Sequence, residues 1–423
     1  MPRIRVLYDI SALGIGYVSE HARGGSHRAD RHLVDCLARS PECELVFCAN
    51  YASLAYDGCV KYLSGHPTLG NVPLLRHDGS WLRRRMHAGV VFAHRTLRIR
   101  RGHRPLPHFV RACGTLVDTR VRRPVVDAIP PADIHHSSTT PLPPPPRRQR
   151  VPKRFVTIYD LRAMRAHMTA AEAVYQQALV GSVRGRDWVL TSSESTRQDL
   201  CGVGIDDSRM RVVPLAADRR VFHPDASEDP AQIRARYGIP PGNYFLMLNS
   251  RTPRKNLPRT VAAFARVVEE NQIDALSLVM AGAPDGSEPA VESIVRAPAV
   301  RQRIIRVGHV TDTALASLYR AASAFVYPSL YEGFGLPPLE AMQCGTPVIT
   351  SNISSLPEVV GDAGLLVDPY DVDAIGAAML ALARDPALRE SLRAKGLARA
   401  AMFSWERTAA STIAAYRAAL EDS

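Results

Sequence analysis

The feature that most constrains this chain is a rhythm in its second half. Short apolar runs recur at Tyr244–Leu248, Leu276–Met280, Arg303–Val307, Ala324–Tyr327, Pro347–Thr350 and Gly364–Val367. Each has the length of a strand. Between them lie segments of helical period, such as Leu257 to Glu270, where Leu257, Val261, Phe264, Ala265 and Val268 share one face. Strands alternating with helices predict an α/β fold with a doubly wound parallel sheet.

The first half follows the same grammar less cleanly, with strand candidates at Ile4–Tyr8, Glu44–Phe47, Phe155–Tyr159, Val189–Ser192 and Arg211–Leu215. At 423 residues the chain is too long for one comfortable core, so two Rossmann-like domains are expected. The proline- and glycine-rich stretch Val221 to Asn243 is the expected join between residues 1–222 and 223–403. A cleft between two such domains is a natural ligand site.

Composition excludes other classes: 46% apolar and 22% charged residues suit a soluble folded protein. No apolar run approaches the roughly 18 residues of a spanning helix, and the Met1–Tyr8 start lacks the apolar length of a secretory signal. Seven scattered cysteines without a C-x-x-C pair suggest reduced thiols and a cytoplasmic protein.

The net charge of +12 calls for an anionic partner. Much of it is concentrated between Trp81 and Arg123, where Arg83, Arg84, Arg85, Arg95, Arg98, Arg100 and Arg101 are interleaved with Val90, Val91, Phe92, Leu97 and Ile99. This insert reads as a solvated loop, as a membrane-surface or lipid-diphosphate site, or as a nucleic-acid contact. Leu142 to Arg148, with four consecutive prolines at 143–146, reads as a stiff connection.

The most informative stretch runs from Tyr331 to Val348 and follows a strand into a helix. Pro337 and Pro338 are tolerated in a first helical turn, and Gly345 is placed to end the helix. Gly333 and Gly335 allow a close bend, and the amides of Gly333, Phe334, Gly335 and Leu336 at a helix start suit a diphosphate. Glu332 precedes the helix and Glu340 lies inside it, so the two carboxylates are expected to touch different parts of one ligand. The bland alternative is a strand-loop-helix junction with solvated carboxylates.

The Glu332-to-Glu340 stretch resembles the Glu-x7-Glu signature of family 4 retaining glycosyltransferases of the GT-B fold, and among them O-antigen mannosyltransferases. The resemblance implies two Rossmann-like domains facing each other across a cleft, with a C-terminal helix, residues 404–423, returning to the first. It implies a nucleotide-diphosphate sugar as donor, no required cofactor or metal, and a saccharide or polyprenyl-diphosphate-linked acceptor. GDP-mannose is the favoured donor, with UDP-sugars close behind.

Pro253-Arg254-Lys255-Asn256 is similar to the family loop whose lysine neutralises the donor diphosphate, making Lys255 the first candidate and Arg254 the second, with Ser250 nearby. Fixed cations there stabilise the leaving phosphate. By the same resemblance, Glu332 lies beside the donor sugar, Glu340 binds the ribose, and His309 and Val310 in Gly308–Thr311 read the base. Gly24 and Gly25 resemble the glycine loop that approaches the phosphates. Asp133–Ser137 resembles a strand end that makes His136 a cleft candidate. Tyr159 stands where many relatives carry a sugar-contacting histidine; a phenol with a pKa of about 10 is a poor base at neutral pH, so its expected role is positional.

Overall fold

The structure is a computed structural model that describes residues 2–18, 24–49, 53–75, 131–143, 153–161, 170–225, 228–249, 252–271, 273, 275–282 and 289–422. The arginine-rich insert 81–123 and Ser250 lie outside the described residues.

Two six-stranded sheets organise the chain. The first contains β1 (Ile4–Asp9), β2 (Cys43–Cys48), β3 (Ile134–Ser138), β4 (Lys153–Thr157), β5 (Trp188–Thr191) and β6 (Met210–Val212), in the order 2-1-3-4-5-6. The second contains β7 (Asn243–Asn249), β8 (Leu276–Gly282), β9 (Ile304–Gly308), β10 (Ala324–Tyr327), β11 (Val348–Ser351) and β12 (Leu365–Val367), in the order 12-11-10-7-8-9. Every adjacent pair in the second sheet is parallel. A parallel sheet has both faces covered by helices, which is why its strands read as unbroken apolar runs. Tyr244, Phe245, Leu246 and Met247 on β7 are all at most 1% exposed.

The chain divides into two compact units, one of Met1–Ile158, Ala178–Leu190 and Ala409–Ser423, the other of Tyr159–Gln177 and Thr191–Thr408. In the second unit the helix Leu257–Asn271 buries Leu257, Val261, Phe264, Ala265 and Val268 in the core, as its spacing predicts, and Val267 besides. The stretch Val221–Asn243, read from its prolines as the join, lies inside this unit. Phe222 is 2% exposed and packs edge-on to Tyr319, and Gln343 Nε2 donates to the Phe222 carbonyl at 2.5 Å.

Part of that stretch is a helix, Pro230–Tyr237. Its Asp229-Pro230 start is an N-cap followed by a first-turn proline, the Asp229 carboxylate accepting from the Ala231 amide at 2.9 Å. Gly238, with φ of 63°, closes it in the left-handed conformation. Helix punctuation and hinge punctuation use the same residues, and packing decides between them.

In the first unit β4 packs against the helix near the chain's end. Tyr416, on the helix Trp405–Glu421, is fully buried and packs edge-on to Phe155 with ring centroids 4.9 Å apart.

Candidate active site

The second sheet changes winding direction between β7 and β10: β8 and β9 are added on one side, β11 and β12 on the other. In doubly wound sheets the carboxyl ends at such a point form a crevice, because the following loops diverge. The loop after β7 carries Pro253–Lys255 and the loop after β10 carries Glu332. Topology therefore brings the two sequence motifs together.

Their meeting is an ion cluster. Glu332 Oε1 accepts from Arg254 Nη1 at 2.5 Å and from Lys255 Nζ at 2.6 Å, and the three side chains are each 10–12% exposed. Tyr327 OH and Ser329 Oγ donate to the same oxygen at 2.8 and 2.7 Å. Lys255 Nζ also sits 4.4 Å above the Tyr327 ring and bonds its hydroxyl. Burial works against the charge on Glu332, but the Lys255 and Arg254 cations and the hydrogen bonds from Lys255 and Ser329 prevail and hold its carboxyl below the usual range. Two cations against one carboxylate leave positive charge in excess. That is a setting for an anion.

Asn256, which carries the left-handed turn of the loop at φ of 57°, fixes the cations in place. Its Nδ2 donates to the carbonyls of Pro328 at 3.0 Å and Pro369 at 2.6 Å. Asparagine tolerates this conformation better than most residues. The Arg254 carbonyl in turn accepts from the Leu330 amide at 2.7 Å.

The loop Glu332–Leu336 opens the helix Leu336–Gln343, with Pro337 and Pro338 in its first turn. Gly335 adopts φ of 115°, where a side chain is strained. Gly333 is required by the protein's own backbone, since a Cβ there would lie 2.1 Å from the Tyr159 carbonyl oxygen. The absent side chain makes room for the protein's own backbone. Among the described residues, the amides of Gly333, Phe334, Gly335 and Leu336 form no hydrogen bond.

The remaining candidates are distributed as follows. Tyr159 is 9% exposed, and its carbonyl accepts from Ser192 Oγ at 3.2 Å, so it belongs with the Gly333 loop. Glu340 is 2% exposed within its helix. His309 is exposed and Val310 half-buried in the loop after β9, where Gly308 has φ of 71°. Gly24 and Gly25 lie in the first unit at the start of the helix Gly25–Arg39, and a Cβ at Gly24 would meet nothing within 4 Å.

His136 is also in the first unit, fully buried, with both ring nitrogens engaged: Nδ1 with Tyr416 OH at 2.5 Å and Nε2 with Thr157 Oγ1 at 2.7 Å. Burial, with His135 beside it, lowers its pKa to about 3. It holds the final helix to β3 and β4. Sequence reasoning missed Tyr327 and Ser329, whose only signal was their position at a strand's carboxyl end.

The chain is similar to known proteins in sequence and in fold. Residues 230–399 match the family profile of glycosyl transferases group 1. The whole chain superposes on a sucrose-phosphate synthase from Thermosynechococcus elongatus with a TM-score of 0.65 at 21% identity, covering 100% of both chains. The fold is thus GT-B. Over 242 residues the chain is 36% identical to an O-antigen chain mannosyltransferase B of Escherichia coli, covering 57% of this chain and 63% of the relative. It is 32% identical over 237 residues to an MMP alpha-(1->4)-mannosyltransferase of Mycolicibacterium hassiacum, covering 55% and 54%. Residues 230–399 thus resemble the group 1 glycosyl transferases, the chain is similar to O-antigen and other mannosyltransferases, and it spans less than two thirds of these curated relatives.

Proposed function

We propose that this protein transfers a hexose from a nucleotide-diphosphate sugar to a saccharide acceptor. The observation that carries the reading is the convergence of Glu332, Arg254 and Lys255 beside the open amides of Gly333–Leu336, at the switch point of the second sheet. Cleavage of the anomeric bond leaves negative charge on the diphosphate. The cations and amide dipoles meet that charge without reorganising, which is where fixed electrostatics lowers a barrier most.

In this reading Lys255 and Arg254 exchange part of their contact with Glu332 for the diphosphate, and Glu332 then faces the donor sugar. Glu340 holds the ribose, and His309 and Val310 flank the base. Tyr159 sets the Gly333 loop through its backbone. The acceptor belongs to the N-terminal domain, residues 1–222 completed by 404–423, with Gly24 and Gly25 at the start of the helix Gly25–Arg39. Transfer proceeds with retention and without a metal: the acceptor oxygen forms the new anomeric bond on the face from which the phosphate leaves, and its proton passes to that phosphate.

Similarity to mannosyltransferases favours a mannose donor, and GDP-mannose is the leading choice, with UDP-sugars next. A polyprenyl-diphosphate-linked acceptor, the cytoplasmic side of a membrane and a peripheral contact through residues 81–123 complete the proposal. Among the described residues no helix is long and apolar enough to cross a membrane.

A thermal-shift screen of GDP- and UDP-sugars tests the donor, since a ligand that binds only the folded state raises its melting temperature. A rise with GDP-mannose is expected. No shift with any nucleotide sugar sinks the reading, and consumption of donor in the absence of any acceptor would mark an epimerase or phosphorylase instead.

A further inference from the structure

Four hydroxyls on β11 and the loop after it reach four carbonyls on β10 and the loop after it. Thr350 Oγ1 donates to the Tyr327 carbonyl at 2.8 Å and Ser351 Oγ to that of Ser329 at 2.6 Å. Ser354 Oγ donates to the Glu332 carbonyl at 2.6 Å, and Ser355 Oγ bridges the carbonyls of Glu332 at 2.9 Å and Phe334 at 2.7 Å. Thr350, Ser351 and Ser355 are fully buried. Ser354 holds φ of 61°, uncommon for a residue with a side chain, and this turn directs two successive hydroxyls at one loop. On the loop's other side, Ser192 and Ser193 each donate to the Gly333 carbonyl at 2.8 Å.

A trans peptide points its C=O and the next N–H in opposite directions. Holding the carbonyls of Glu332 and Phe334 against Ser355 therefore sends the amides of Gly333 and Gly335 to the side away from Ser355. Those amides form no hydrogen bond among the described residues, although buried backbone donors are nearly always paired. They belong to the same loop as Glu332 and its two cations.

We propose that Ser355, assisted by Ser354, is a positioning residue for the donor diphosphate: it touches no ligand but fixes the two peptide planes whose amides bind phosphate oxygens. This rests on the reading of the site as a nucleotide-sugar site and names what sets its phosphate geometry. Without the bridging hydroxyl the two planes can rotate, and the amides no longer share a direction.

The test is calorimetry on the full chain with GDP and UDP, and with guanosine and uridine as phosphate-free controls. Ser355→Ala is expected to bind the preferred diphosphate about tenfold more weakly than wild type, the loss of roughly one charge-assisted hydrogen bond, with nucleoside affinity unchanged. Ser355→Thr keeps the hydroxyl and restores most of the affinity. If Ser355→Ala does not melt cooperatively, Ser354→Ala, at a half-buried position, is measured in its place and is expected to shift in the same sense. Unchanged diphosphate affinity, or equal losses for diphosphate and nucleoside, overturns the proposal. A wild-type chain that binds neither diphosphate overturns the nucleotide-sugar reading and the proposal with it.

Discussion

Glu332 is the residue on which most of the site's energetics converges, since one of its oxygens receives Arg254, Lys255, Tyr327 and Ser329. Removing it leaves two mostly buried cations uncompensated, and breaking such a pair costs about 3 kcal/mol or more. Glu332→Ala is therefore expected to lower stability by about that amount, read by urea unfolding, as well as to reduce transfer at least 100-fold. Lys255→Ala is expected to lose transfer to a similar degree with a smaller loss of stability, because Arg254 still faces the carboxylate. Turnover near wild type in either variant removes the catalytic assignment.

The same carboxylate gives the protein a pH signature. Its folded pKa lies below the ordinary value, so its stabilisation is fully present above the unfolded pKa of about 4.5 and is lost as pH falls through the depressed folded value. Glu332→Gln is expected to flatten that acid limb of stability against pH. His136 acts in a neighbouring window by the opposite chemistry. Its folded pKa of about 3 lies below the ordinary histidine value of 6.5, so between them the unfolded chain binds the extra proton and stability falls as pH falls. His136→Gln is expected to reduce this slope; an unchanged slope would remove His136 from the account.

At the scale of elements, the decisive unit is the turn from β10 into the helix Leu336–Gln343. It is overdetermined: prolines in its first turn, a left-handed glycine at its start, and hydroxyls on both sides holding its carbonyls. Gly333→Ala is expected to displace the loop from the Tyr159 carbonyl and lower transfer at least tenfold, because the Cβ would stand 2.1 Å from that oxygen. Gly238 provides the control. It has φ of 63° with no atom within 4 Å of a Cβ, so Gly238→Ala should cost about 1 kcal/mol of stability from backbone strain alone and leave donor affinity untouched. A fall in donor affinity there would show that strain anywhere in the unit disturbs the site.

At the scale of the whole molecule, the first unit is closed by the end of the chain. Ala409–Ser423 belongs to it, with Tyr416 joining His136 and Phe155 in the core. Truncation after Thr408 is expected to uncover that aromatic patch and abolish cooperative unfolding of the first unit, seen as a lost calorimetric transition. A truncated chain that keeps both transitions would show that the helix adds little.

The sequence by itself determined what is local. Alternating apolar runs located β7 to β12 to within a few residues, because a strand covered on both faces has to be apolar along its length. Prolines and glycines marked the start and end of the helix Leu336–Gln343, because amide donors and left-handed backbone are properties of single residues. The carboxylate loop and the cation loop were legible as separate motifs for the same reason. Tertiary structure alone decided what depends on register and burial. Lys255 and Glu332 are 77 residues apart, and they meet because the sheet winds outward in both directions from β7 and β10. The parallel pairing of β10 with β11 places Thr350, Ser351, Ser354 and Ser355 against β10 and the loop that carries Glu332, and nothing in those hydroxyl residues announces which backbone they will hold. His136 and the stretch around Phe222 show the other limit: the same residue types serve a crevice, a hinge or a core, and only the neighbours that exclude water from them select which.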